Sequence, residues 1–158
     1  MMSLSIDTNI VFPAVQAGDG LHVLARGFLE SLGFRNDVLI SEFVLLELYQ
    51  LLRNPAVVSR PLSAPDAVAV CAGFRSHSRW QVVALPPATR EFHDALWPRL
   101  AQPGVARRRA FDWRMALSLL HHGVTEFATV NVRDFDGFGF KRVWNPLAPP
   151  RDRPLAGQ

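Results

Sequence analysis

Four acidic residues have settings that bear on chemistry: Asp7, Glu47, Asp112 and Asp134. Asp7 closes the β-type run Leu4-Ser5-Ile6, and Asp134 follows a second such run within Thr129-Val130-Asn131-Val132-Arg133-Asp134-Phe135. In an open parallel sheet the ligand crevice lies beyond the carboxyl ends of the strands, so both acids are expected at one sheet edge. Glu47 interrupts the most hydrophobic helical stretch, Phe43-Val44-Leu45-Leu46-Glu47-Leu48, where a buried charge costs several kcal/mol unless it is paired or bound to a cation. Asp112 opens a late helix. Carboxylates that share one cleft repel and partly protonate unless a divalent cation neutralises them. Oxygen ligands without Cys or His match Mg²⁺ or Mn²⁺ rather than zinc.

Each acid also has a plainer reading. Asp7, Thr8 or Asn9 can simply cap a following helix. Glu47 can reach water from the edge of an apolar stripe, Asp112 meets a helix dipole favourably, and Asp134 supplies turn chemistry. The weight lies in the set: two acids at strand ends that should be neighbours, and two on helices beside them.

The elements that must position these groups alternate along the chain. Strand-like runs fall at Leu4-Ser5-Ile6, Val38-Leu39-Ile40, Val82-Val83-Ala84-Leu85, Phe127-Ala128-Thr129-Val130 and Arg142-Val143-Trp144. Helical patterns between them imply crossover connections and a mainly parallel sheet. Helices are expected over Leu21 to Leu32, along the stripe Val44, Leu45, Leu48, Leu51 and Leu52 up to Asn54-Pro55, and after Ser63-Ala64-Pro65-Asp66. Two more cover Thr89 to Leu100 and Ala110 to His122, the last stopping at Gly123. Arg53 to Ser63 and Gln102-Pro103-Gly104 read as loops, and Asp134 is likewise expected in a loop.

A chain of 158 residues that is 49% hydrophobic fits one α/β domain, here residues 1–146, with 147–158 expected as a frayed tail. Cys71 is the single cysteine, so no intrachain disulfide or cysteine-based metal cluster can form, in keeping with a reducing cytoplasm. Neither an export signal nor a membrane span is expected from the sequence as it stands. The net charge is +3 and the sequence pI about 10, with Lys141 the only lysine among many arginines. That balance suits a polyanionic partner, although coding bias explains it equally well.

Asp7-Thr8-Asn9, Glu47 in a Leu-rich helix, Asp112 opening a late helix and the closing Thr129 to Phe135 segment occur in the order of a PIN domain. Over residues 4–146 the chain resembles the PIN-domain ribonucleases of VapC type, toxins of toxin–antitoxin systems, most specifically in its closing motif. The resemblance implies a Rossmann-like α/β/α sandwich with a central parallel sheet, and Mg²⁺- or Mn²⁺-dependent endonucleolytic cleavage of RNA. It makes Asp7, Glu47, Asp112 and Asp134 the catalytic set and Asp7, Asp112 and Asp134 the metal ligands. Thr8, Asn9 and Asn131 become supporting polar groups, and Asp136 competes for the role of Asp134. A cognate antitoxin and a homodimer are implied as partners, without a membrane.

Arg107-Arg108-Arg109 precedes Asp112 and is a candidate for holding RNA phosphates. As a bare run it reads equally well as a solvated face. The histidines read as surface groups, and the tryptophans as core or interface residues, with base stacking an alternative for Trp113. A phosphatase using Asp7 as nucleophile would want a second acid at position 9, which is Asn9. A non-catalytic PIN-like module binding RNA or protein would gain nothing from four clustered acids near a polyanion.

Overall fold

Period-two alternation in the strands sends neighbouring side chains to opposite faces, and two cores result. In the computed structural model, which describes residues 2–149, the strands are β1 (Leu4–Ile6), β2 (Leu39–Ser41), β3 (Gln81–Val83), β4 (Glu126–Ala128) and β5 (Arg142–Trp144). The helices are α1 (Thr8–Val15), α2 (His22–Leu32), α3 (Glu42–Leu52), α4 (Ala64–Arg75), α5 (Thr89–Leu100), α6 (Arg109–His121) and α7 (Val132–Phe135). Leu4, Ile6, Val38, Ile40 and Ala128 face one core, filled by Ile10 and Val11 of α1, Ala25 of α2, Val44 and Leu48 of α3 and Ala67 of α4. Leu39 and Phe127 point the other way, into a core with Met115, Ala116 and Leu119 of α6 and Phe135 of α7. These are the two helical layers of an α/β/α sandwich.

All strand pairs are parallel: β1 with β4, β4 with β5, and β2 with β3. The sheet is not one continuous ladder. Strands β5, β4 and β1 form one piece and β2 and β3 another, joined through the bridge of Leu4 to Val38 and the bond from Leu4 N to Asp37 O at 2.9 Å. The spatial order is therefore β3-β2-β1-β4-β5. The chain leaves β1 on one side to build β2 and β3, then returns on the other side to build β4. A crevice opens at that reversal, between the carboxyl ends of β1 and β4.

Local chemistry fixes the helix ends. Ser41 caps α3 by accepting from Phe43 N at 3.1 Å, and Ser63 caps α4 by accepting from Asp66 N while donating to the Asp66 carboxylate. Helix α6 stops in a Schellman turn: Gly123, at φ 81°, bonds to Leu120 O, and Val124 N bonds to Leu119 O.

Three expectations are corrected. Helix α1 enters the sequence reading only as a helix that Asp7, Thr8 or Asn9 would cap, without bounds, because Thr, Asn, Ile, Val, Phe and Pro are modest or poor helix formers; burial of Ile10, Val11 and Ala14 overrides that preference. Asp134 lies in the short helix α7 rather than in a loop. Leu147, assigned to the tail, is buried against the first core, so the domain runs past residue 146. Of the rest of the expected tail, residues 148 and 149 are exposed and 150–158 lie outside the described residues. Among the described residues no helix is long and apolar enough to cross a membrane.

Candidate active site

Asp7 is the first residue beyond β1, and its backbone continues the parallel ladder by donating from N to Ala128 O at 2.9 Å. Its side chain faces the first turn of α1 and the end of β4 together. Oδ1 accepts from Thr8 N at 2.8 Å, which makes Asp7 the N-cap of α1. Oδ2 accepts from the Thr129 hydroxyl at 2.7 Å. The plain capping role is therefore real, and the same carboxylate also lines a cleft. Thr129, fully buried, accepts in turn from Asn9 Nδ2 at 3.2 Å and Asn131 N at 3.1 Å. Asn9 Oδ1 accepts from Val130 N, so Asn9 ties α1 to the end of β4. Thr129 escaped the sequence reading as a site residue. The available signal was its place three residues after Glu126, where β4 must end opposite Asp7.

Helix α3 leaves the end of β2, so its first turns lie at the same sheet edge. Phe43, Leu46, Glu47 and Gln50 recur at the spacing of one helix face and line the cleft together. Glu47 Oε2 accepts from the Thr8 hydroxyl at 2.9 Å, which gives Thr8 its supporting place. Helix α6 leads into β4 and so runs back along the sheet, bringing its first turn to the carboxyl edge, where Asp112 lines the cleft. Asp134 reaches the cleft from α7.

All four acids, with Asn9 and Asn131, thus line one cleft of about 610 Å³. Asp136 is exposed and does not line it. The arginine run divides. Arg108 lines the cleft and Arg107 is exposed, whereas Arg109, expected to contact RNA, is largely buried and donates Nη2 to Asp134 Oδ1. Its other terminal nitrogen, Nη1, is buried without a partner. Trp113 packs against Phe138 of the second core, with ring centroids 5.6 Å apart.

The electrostatics follow burial and charge. Asp7 is only 8% exposed, and that burial pushes its carboxyl up to about 7. The Thr129 and Thr8 hydrogen bonds pull it down, while the charges of Glu47 and Asp112 add to the rise. Glu47 is raised by desolvation against the cleft walls, opposed by the Thr8 hydroxyl and assisted by Asp112. Desolvation also raises Asp112, with Arg109 opposing and Asp134 adding to the shift. Of the four cleft acids Asp134 is the one held below the usual carboxylate range, by the Arg109 hydrogen bond.

The expected ligands Asp7, Asp112 and Asp134 all border the one cleft. Among the described residues no three acidic, His or Cys side chains are gathered at the spacing of a cation's ligands. Asp134 is turned to Arg109, and Asp7 to Thr8 and Thr129. The donor chemistry still fits a hard divalent cation: four carboxylates and two amide side chains border one cleft, and three of the acids hold protons more tightly than usual.

The acid-lined cleft at the switch point of a parallel α/β/α sandwich matches what the resemblance to PIN-like nucleases implied. No family model matches the chain. A curated relative, Ribonuclease VapC24 of Mycobacterium tuberculosis (strain CDC 1551 / Oshkosh), is 50% identical over 144 residues, covering 91% of this chain and 97% of that protein. The chain belongs to the VapC family of ribonucleases. Solved structures share its fold. They include VapC20 of Mycobacterium tuberculosis, described as a sarcin-ricin loop cleaving toxin, at TM-score 0.64 and 21% identity over 87% of this chain and 96% of that one. DNA-bound VapBC from Salmonella typhimurium aligns at TM-score 0.62 and 21% identity, over 92% and 99% of the two chains.

Proposed function

We propose that this ribonuclease is a metal-dependent endoribonuclease and the toxin of a toxin–antitoxin pair, with Asp7, Glu47, Asp112 and Asp134 as its catalytic acids. The observation that carries the reading is the convergence of all four on one cleft in a chain half identical to a ribonuclease. The partner follows from VapBC, whose toxin shares this fold. A small antitoxin, a homodimer and a cytoplasmic setting belong to the same proposal.

In this reading Asp7, Asp112 and Asp134 hold the cation. Bound there, Mg²⁺ or Mn²⁺ supplies Lewis-acid polarisation of the phosphodiester and of the attacking water. Thr129 keeps Asp7 oriented as an acceptor, because its hydroxyl hydrogen is directed at Oδ2 while its oxygen is occupied by Asn9 and Asn131. Glu47, fixed through Oε2 by Thr8, keeps Oε1 for a proton from water, and its raised pKa suits that task. Arg109 holds Asp134 through Oδ1, so Oδ2 is the oxygen that would serve as the cation ligand. In-line attack by water then leaves a 5′-phosphate and a 3′-hydroxyl.

The experiment is incubation of the purified chain and its Asp7→Asn variant with structured and unstructured RNAs, in Mg²⁺, Mn²⁺ or chelator. Cleavage by the parent in metal and loss of several powers of ten in the variant are expected. Cutting that survives chelator, or survives Asp7→Asn at near parental rate, would remove the metal or Asp7 from the mechanism.

A further inference from the structure

The cleft has an apolar rim that acid chemistry does not require. Phe111 and Leu46 line it while remaining 72% and 62% exposed, and each directly precedes an acid of the site, Asp112 or Glu47. Phe111 continues the α6 stripe of Met115 and Leu119, which are buried four and eight residues further on. One turn earlier the same stripe has run past the core and overhangs the cleft. The Arg114 guanidinium lies 4.5 Å from the Phe43 ring centroid and 5.6 Å from that of Phe111, and its Nε is buried without a hydrogen-bond partner. Arg108 and Arg114 both line the cleft.

Resting on the ribonuclease reading above, we infer that Phe111 is a stacking platform for an unpaired nucleobase beside the phosphodiester offered to the acids. Phe111 and Asp112 line the same cleft, so a base on Phe111 belongs to a nucleotide close to the phosphate offered to the acids. A base inside a duplex has both faces covered by its neighbours, and an unpaired base offers one to an aromatic ring. The two arginines suit the same ligand, since guanidinium groups meet both phosphates and π faces. A rim that combines an exposed aromatic ring, cations and an acid-lined cleft complements a polyanion with aromatic bases better than it complements an apolar peptide.

The test uses the full chain carrying Asp7→Asn, so that bound RNA is not cut. The probes are a dye-labelled single-stranded dodecaribonucleotide of mixed sequence and its perfect duplex. Adding Phe111→Ala is expected to weaken single-strand binding about tenfold or more, Phe111→Trp to restore it, and Phe111→Leu to leave it weak, with duplex binding the same throughout. In the chain with Asp7 intact, Phe111→Ala should lower kcat/KM on an unpaired RNA by a similar factor. Parental binding by Phe111→Ala overturns the inference, as does an equal loss on the duplex. Full rescue by leucine also overturns it and points to an apolar contact, such as a protein docked on the rim. A chain that binds single strands through Phe111 but cuts no RNA would sink the ribonuclease reading and leave the platform standing. One that cuts RNA indifferently to Phe111 would do the reverse.

Discussion

Asp7 caps α1, receives the Thr129 hydroxyl and lines the acid cleft at once. Its folded-state pKa of about 7 lies above the ordinary carboxylate value of 3.8. Between those values the unfolded chain has lost the proton and the folded chain keeps it, so stability falls as pH rises. In chelator, the melting temperature of the parent is expected to drop from about pH 4 to pH 7, and Asp7→Asn should flatten most of that slope. Glu47 and Asp112 shift in the same direction and leave a smaller residual. Asp134 has the opposite sign, contributing stability that is lost only as pH falls below the ordinary carboxylate range. Thermal melts across that pH range decide the matter: a parental slope in the variant would mean that Asp7 does not titrate as its burial requires.

At the scale of elements, the site depends on where helices begin and stop. Helix α6 brings Asp112 and Phe111 to the cleft with its first turn and is anchored at the other end by the Schellman turn at Gly123. The left-handed φ of 81° there is costly for any residue with a Cβ, although no neighbouring atom would obstruct one. Gly123→Ala is expected to destabilise the fold by about 1 kcal/mol and to leave the cleft chemistry intact, because the strain sits at the far end of the helix. Denaturant melts beside cleavage assays check this. A loss of activity without a loss of stability would show that the turn and the cleft are coupled. Helix α7 holds Asp134 on a single turn, and the Arg109 pair ties that turn to α6.

For the whole molecule the main electrostatic feature is an acid cleft bordered by arginines on a chain of modest net charge, +3. Only two members of the run 107–109 are available to a polyanion, since Arg109 is committed to Asp134. Replacing Arg107 and Arg108 by Ala is expected to reduce the log–log salt slope of single-stranded RNA binding by up to about 0.7 per lost contact. Measured from low to moderate salt, an unchanged slope would show both side chains to be merely solvated.

The sequence by itself determined the alternation of strands and helices, the parallel sheet and the four acids. Those features rest on local periodicity, on cap and turn residues, and on charges placed where an apolar pattern rejects them, as at Glu47. It left α1 without bounds beyond a cap at Asp7, Thr8 or Asn9, because its residue types argue against a helix that only burial of Ile10, Val11 and Ala14 repays. The tertiary structure decided what each acid meets. Asp7 and Thr129 are 122 positions apart and become neighbours only through the β1 and β4 ladder. Arg109 reads as one of three equivalent cations until folding sets it against Asp134, 25 residues away. Phe111 reads as the next member of a core stripe, and it becomes a rim residue because the core ends one turn before it does. Periodicity reports which face of an element is apolar; where that face runs out depends on what the rest of the chain packs against it.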